Sequence, residues 1–262
     1  MPKKSLSNHK KFINLLNTKL KKLLSIIIPV YNEEKYISQT IGKVIGADSG
    51  ELEKEIIIVD DGSGDASIAN IKNKISPLRQ GSAGQAKIIL ISKKKNEGKG
   101  AAIKTGILKS KGDIVLIQDA DLEYTPDDYP SLLEPFLKHD ADVVYGSRFI
   151  SDRPHRVLYY WHSLGNNFLT WLSNICTNLN LTDMETGYKV FQGDMIRKIA
   201  VKLESKRFGF EPEVTARIAK IKNLKIFEVG ISYWGRTYNE GKKIGWVDGI
   251  RALFEIIKYN FF

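Results

Sequence analysis

Two carboxylates one residue apart, in Asp119-Ala120-Asp121, are the sharpest chemical feature of this chain. At a strand end such a pair faces one side, because side chains alternate. Hard oxygen ligands suit Mg²⁺ or Mn²⁺ sharing coordination with a diphosphate, and Glu123 adds a third carboxylate two residues on. The plain alternative is a solvated turn leading into Pro126. A second acidic cluster, Asp60-Asp61-Gly62-Ser63-Gly64-Asp65, offers acceptors for a ribose or a base, or simply caps a helix. Gly98-Lys99-Gly100 opens a helix running on through Ala101-Ala102-Ile103, so that its amides and Lys99 could meet a phosphate.

Competing phosphate-binding patterns fail. The Gly-x-Gly-x-x-Gly fingerprint of dinucleotide folds should follow the first strand, where the chain reads Val30-Tyr31-Asn32-Glu33-Glu34. A P-loop would need glycine at Lys93 and Ser or Thr at Gly100. His9, His139, His155 and His162 have no metal-ligand spacing, and Cys176 sits in an apolar stretch that suits burial.

These residues need a frame. Five runs, 25–31, 55–60, 87–91, 113–117 and 141–145, are apolar nearly throughout, as strands buried on both faces of a parallel sheet should be. Helical patterns separate them, and Thr125-Pro126-Asp127-Asp128 reads as a helix start. The expected fold is α/β, a Rossmann-like, mostly parallel sheet flanked by helices. Ligands of such sheets bind beyond the carboxyl ends of the strands. All five chemical segments, ending with Gly146-Ser147-Arg148, fall at that edge. Further along, Asp183–Phe191 reads as a turn and a short strand, 211–220 as a helix and 225–233 as a strand. From Trp246, an apolar stripe at helical spacing includes Ile250, Phe254, Ile257 and Phe261.

With 262 residues, 42% of them hydrophobic, the chain can bury one large core, and no apolar run reaches the roughly 20 residues that span a bilayer. One cysteine and the absence of a secretory pattern point to the cytoplasm. The net charge is +10, concentrated in residues 1–22, with seven lysines and no acid, and in 215–251, with eight Lys/Arg against three acids. Basic patches of this kind attract nucleic acid, anionic lipid or phosphorylated substrates. No aromatic-rich RNA motif is present, which argues against nucleic acid. Phe12, Leu16, Leu20 and Leu23 stand at helical spacing among the lysines, as an interfacial helix would have them.

Taken in order, Pro29-x-Tyr31-Asn32-Glu33, Asp60-Asp61-Gly62-Ser63-x-Asp65, Asn96-x-Gly98-x-Gly100, Asp119-x-Asp121 and Gly146-Ser147-Arg148 resemble glycosyltransferase family 2. Together with Asp183-Met184-Glu185-Thr186-Gly187-Tyr188-Lys189-Val190-Phe191 they look like its dolichyl-phosphate mannose synthase and polyprenyl-phosphate glycosyltransferase branch. The resemblance implies a GT-A fold over 24–245, between a basic segment 1–23 and a C-terminal amphipathic helix 246–262. It also implies a nucleotide-sugar donor, Mg²⁺ or Mn²⁺, and inversion at the anomeric carbon. Pro29, Tyr31, Glu33, Asp60 and Asp61 would line the nucleotide pocket, with Gly98, Lys99, Asp119 and Ala120 along the sugar diphosphate. Asp119, Asp121 and Glu123 would handle the metal. Arg148, Lys189, Arg236, Lys242 and Lys243 would meet the acceptor or a phosphate, although 235–243 departs from the branch's Ser-Lys ending.

The acceptor decides whether a base is needed. A phosphate monoester, with its second pKa near ~6, is already anionic. A hydroxyl must lose its proton, for which Asp183, then Glu185, are the candidates. The expected acceptor is a polyprenyl phosphate at a peripheral membrane contact, with a glycan, protein or small-molecule hydroxyl as alternative and a non-catalytic basic binding module as the remote one. Homo-oligomerisation is left open.

Overall fold

The computed structural model describes residues 22–76, 86–150, 153–157, 159–236 and 246–262. The lysine-rich segment 1–21 and Lys242 and Lys243 lie outside them. The elements run β1 (Leu23–Val30), α1 (Ile37–Gly46), β2 (Glu53–Asp60), α2 (Ser67–Ile75), β3 (Lys87–Ser92), α3 (Lys99–Lys109), β4 (Ile114–Ile117), α4 (Tyr129–Lys138) and β5 (Val143–Ser147). They continue as α5 (Tyr160–Thr177), β6 (Lys189–Gln192), α6 (Gly193–Lys202), α7 (Phe210–Ala219), β7 (Ile226–Gly230) and α8 (Trp246–Phe261).

The seven strands form one sheet in the order β3-β2-β1-β4-β6-β5-β7. Only β6 runs against its neighbours β4 and β5. The unbroken apolar strands follow from burial on both faces. Along β1, Leu24, Ile26, Ile28 and Val30 enter a core with Ile37 and Ile41 of α1 and Ile71 of α2. Ile27 points the other way, toward Ile103 and Ile107 of α3, Ile196 of α6 and Val214 of α7. Ile256 of α8 completes that second core, so the C-terminal helix is built into the fold rather than appended to it. Thr125 accepts from the amide of Asp127, and Pro126–Asp128 forms a 3₁₀ turn that runs into α4.

Candidate active site

The loop after β4 carries the paired carboxylates, and buried tyrosines fix its base. Gln118 accepts hydrogen bonds from Tyr129 and Tyr188 at 2.9 and 2.7 Å and donates to the carbonyl of Asp119 at 3.0 Å. Tyr124 packs on Tyr188 and Tyr233, and its hydroxyl accepts from the amide of Gly187. Leu122 holds φ at 62°, an unusual conformation for a branched side chain, at the turn between Asp121 and Glu123. Ala120 is buried, and its carbonyl accepts from Thr40.

Two cations hold this acidic loop. Lys99 projects from the first turn of α3 and pairs with Asp119 at 3.0 Å and Glu211 at 3.2 Å. Burial would lower its ammonium pKa, but these two carboxylates raise it well above the ordinary value. Arg236 pairs with Asp121 at 2.6 Å, Glu123 at 3.2 Å and Glu33 at 3.5 Å. Even so, burial together with Glu123 and Asp119 pushes Asp121 up to about 7. A carboxylate so crowded by like charges is one that added positive charge would stabilise.

Hard oxygen donors therefore fit a divalent cation at Asp119 and Asp121. Glu123 stands beside them: its Oε1 accepts from the amide and Nε of Arg236 and its Oε2 from Tyr233, so it also secures the 233–236 segment. Among the described residues, no three His, Cys, Asp or Glu side chains are grouped to hold a metal ion.

The proposed nucleotide side lies beyond β1 and β2. Tyr31 is partly exposed, Glu33 and Asp60 are buried, and Pro29 is enclosed in β1 opposite Val59. Asp60 Oδ2 accepts from the amides of Gly62 and Ser63. Asp61 pairs with Lys93 at 3.1 Å and accepts from the amides of Glu97 and Gly98.

The glycine-rich helix start is corrected. The Gly98 amide is taken by Asp61, and the amides of Gly100 and Ala101 donate to the carbonyls of Arg207 and Lys206. The glycines serve close backbone approach rather than anion capture. Gly98, at φ 105°, has no room for a Cβ against the Lys206 carbonyl.

On the other side of the site, Arg148 follows β5 and grips Asp183. Its Nε and Nη2 reach the two carboxylate oxygens at 2.7 Å each, and its own amide donates to Oδ2 at 3.1 Å. Asn166 of α5 closes the arrangement, accepting from Arg148 at 3.1 Å and donating to Asp183 at 3.2 Å. Asp183 is fully enclosed, and its amide donates to Glu228. Glu185 is pushed up to about 8 by burial and then by Glu211.

Lys189, expected at a phosphate, is fully buried. Its ammonium donates to the carbonyls of Met184 and Thr186 and lies over the Tyr145 ring, so it braces the 183–187 turn from beneath. Sequence reasoning missed Glu211, Gln118 and Tyr233. Their roles depend on partners far away in the chain, and only the acids opening α7 gave a signal.

A mostly parallel sheet with one reversed strand, and a carboxylate pair beyond its central strand, defines a GT-A type transferase. Residues 25–199 match glycosyl transferase family 2, and the chain belongs to that family; it is a glycosyltransferase. It is 27% identical over 244 residues to a UDP-N-acetylglucosamine–dolichyl-phosphate N-acetylglucosaminyltransferase of Methanococcus voltae, covering 90% of this chain and 95% of that one. An undecaprenyl-phosphate mannosyltransferase of Micrococcus luteus is 29% identical over 231 residues, covering 85% and 88%. In fold the chain resembles glucosyl-3-phosphoglycerate synthase of Mycobacterium tuberculosis, solved with Mn²⁺, UDP and glucosyl-3-phosphoglycerate. The TM-score is 0.68 at 18% identity, over 92% of this chain and 81% of that one.

Proposed function

We propose that this glycosyltransferase moves a hexose from a nucleoside-diphosphate sugar, with UDP-glucose or GDP-mannose as the donors to test, to a polyprenyl phosphate, inverting the anomeric carbon. The observation that carries this reading is the Arg148–Asp183 pair. The carboxylate that a hydroxyl acceptor would need as base is enclosed and committed to a guanidinium at 2.7 Å. Glu185, the other candidate, is buried beside Glu211, and both raise its pKa. A phosphate acceptor, anionic by its own pKa of ~6, needs no base. The relatives' names, with dolichyl and undecaprenyl phosphates as acceptors, support the same reading.

In this mechanism a phosphate oxygen of the acceptor attacks C1 from the face opposite the leaving group. The new C1–O bond forms as the bond from C1 to the donor diphosphate breaks, and the nucleoside diphosphate leaves with the electron pair. Asp119 and Asp121 would hold Mg²⁺ or Mn²⁺, which supplies Lewis-acid neutralisation of the charge on the departing diphosphate. Lys99 and Arg236 carry positive charge beside the same carboxylates and would orient the diphosphate. Arg148, positioned by Asp183, would face the acceptor phosphate. Residues 24–245 carry the reaction, which we place at the cytoplasmic face of a membrane with the protein peripheral to it. Among the described residues no helix is long and apolar enough to cross a bilayer.

The test is turnover with UDP- and GDP-sugars and Mn²⁺ or Mg²⁺, with and without a short polyprenyl phosphate, alongside Asp121→Ala. Lipid-dependent release of one nucleotide, lost in the variant, is the expected result. Donor hydrolysis indifferent to the lipid would move the acceptor to a hydroxyl and overturn the proposal.

A further inference from the structure

The helix that covers the acceptor side keeps a long apolar row in solvent. α5 is 18 residues long, about 27 Å, and contains no Asp, Glu, Lys or Arg. Its inward side mixes polar anchors with core contacts: Asn166 bonds Arg148 and Asp183, Thr170 accepts from the amide of Met184, and Asn174 bonds both main-chain groups of Leu181, while Leu169, Leu172 and Cys176 pack against the second core. Its buried residues are Thr170 and Ser173. Its outward row is Trp161, Leu164, Phe168, Trp171 and Ile175, at alternating steps of three and four, with Trp161 75% and Trp171 57% exposed. α8 packs beside α5 and exposes a second such row, Ile250, Phe254, Ile257 and Phe261. Exposed apolar surface of this extent marks a docking face.

We infer that the α5–α8 face is the surface by which this protein docks on an anionic lipid bilayer, setting Arg148 against the acceptor phosphate at the headgroup level. The inference rests on the lipid-phosphate reading above. Three observations choose a bilayer over a protein partner. Exposed Tyr159, Tyr160 and the two tryptophans have the apolar body and polar tip that favour the water–lipid boundary. Exposed Arg156, Arg251 and Lys258 lie on or next to these helices, in a chain of net charge +10, which complements anionic headgroups. Finally, Asn166 joins the inner side of α5 directly to Arg148, so a lipid layer on the outer side lies one helix away from the acceptor-side arginine.

The test compares the full chain with W161Q/F168Q/W171Q, which alters only exposed positions. Vesicles of phosphatidylcholine with phosphatidylglycerol are the probe, read by co-sedimentation and by quenching of tryptophan fluorescence with brominated lipid. Apparent binding should fall about 100-fold in the triple variant. Turnover of a short, water-soluble prenyl phosphate should stay at the wild-type level, while turnover of a long-chain acceptor embedded in vesicles falls with binding. Vesicle binding equal in variant and wild type would overturn the inference. So would a wild-type dimer in light scattering that ignores vesicles and becomes monomeric in the variant, since the face would then join two copies of the chain. Binding lost in the variant, with neither acceptor turned over by the wild type, would support the docking face while refuting the lipid-phosphate reaction.

Discussion

Replacing Arg148 by methionine keeps much of the side chain's volume and removes its charge. The partner it leaves behind, Asp183, is fully enclosed and loses two bonds of 2.7 Å, keeping only those from the Arg148 amide and Asn166. Removing one member of a buried ion pair costs about 3–5 kcal/mol, because the remaining charge is stranded away from water. An exposed pair would cost about 1 kcal/mol or less. For a chain of this size the larger figure lowers the melting temperature by about 6–20 °C.

The assay is denaturant unfolding of wild type, R148M, D183N and the double variant as a mutant cycle. D183N strands the guanidinium in turn, although Arg148 is slightly more open, with 13% of its side chain exposed. In the double variant neither member of the pair is charged, so its loss should fall short of the sum of the single losses by at least ~1–2 kcal/mol. Turnover should fall steeply in R148M and recover little in the double variant, since stability and acceptor contact are separate debts of the same arginine. Losses below ~1 kcal/mol that simply add would refute the reasoning, and Asp183 would regain its claim as a base.

Two further perturbations test the centre of the site. Folded Glu185 keeps its proton to about pH 8, whereas the unfolded chain releases it near ~4.3. In that window the unfolded state binds fewer protons, so this group makes stability fall as pH rises. The melting temperature of wild type relative to Glu185→Gln should therefore drop steadily across the window and level off above pH 8; parallel curves would count against a protonated Glu185. A Cβ at Gly187 would strike Asp119 Oδ2 and come within 2.8 Å of the Tyr124 ring. Gly187→Ala should cost about 1–3 kcal/mol in unfolding and at least about tenfold in kcat; an unchanged kcat would show that Asp119 has freedom to move.

Much of the frame was legible because it depends on local pattern. Short β-branched runs such as Ile26-Ile27-Ile28 suit strands buried on both sides, and their carboxyl ends show which loops meet. The resemblance, resting on ordered loop motifs, reached the family for the same reason. Failures came where a side chain's fate depends on a distant partner. Asp183 looks like an available base until Arg148, 35 residues earlier, is seen holding it. The amides of Gly100 and Ala101 look open to an anion until the 206–207 backbone, about a hundred residues later, occupies them. Lys189 looks like a surface cation until it is found under the 183–187 turn.

The aromatic stretch after Val157 shows the deeper limit. Helical periodicity reveals that a helix has two faces, and a core-forming chain ordinarily turns the apolar one inward. Here part of the inward face bonds the Arg148–Asp183 pair and the main chain of 181–184 through Asn166, Thr170 and Asn174, while Leu169, Leu172 and Cys176 pack on the second core. Two demands share the inner side, and Trp161, Phe168 and Trp171 are left outside. An apolar row of this length left in solvent marks a surface made for contact. For the lipid-phosphate acceptor proposed above, the acceptor's own membrane would be a cover that requires no further partner.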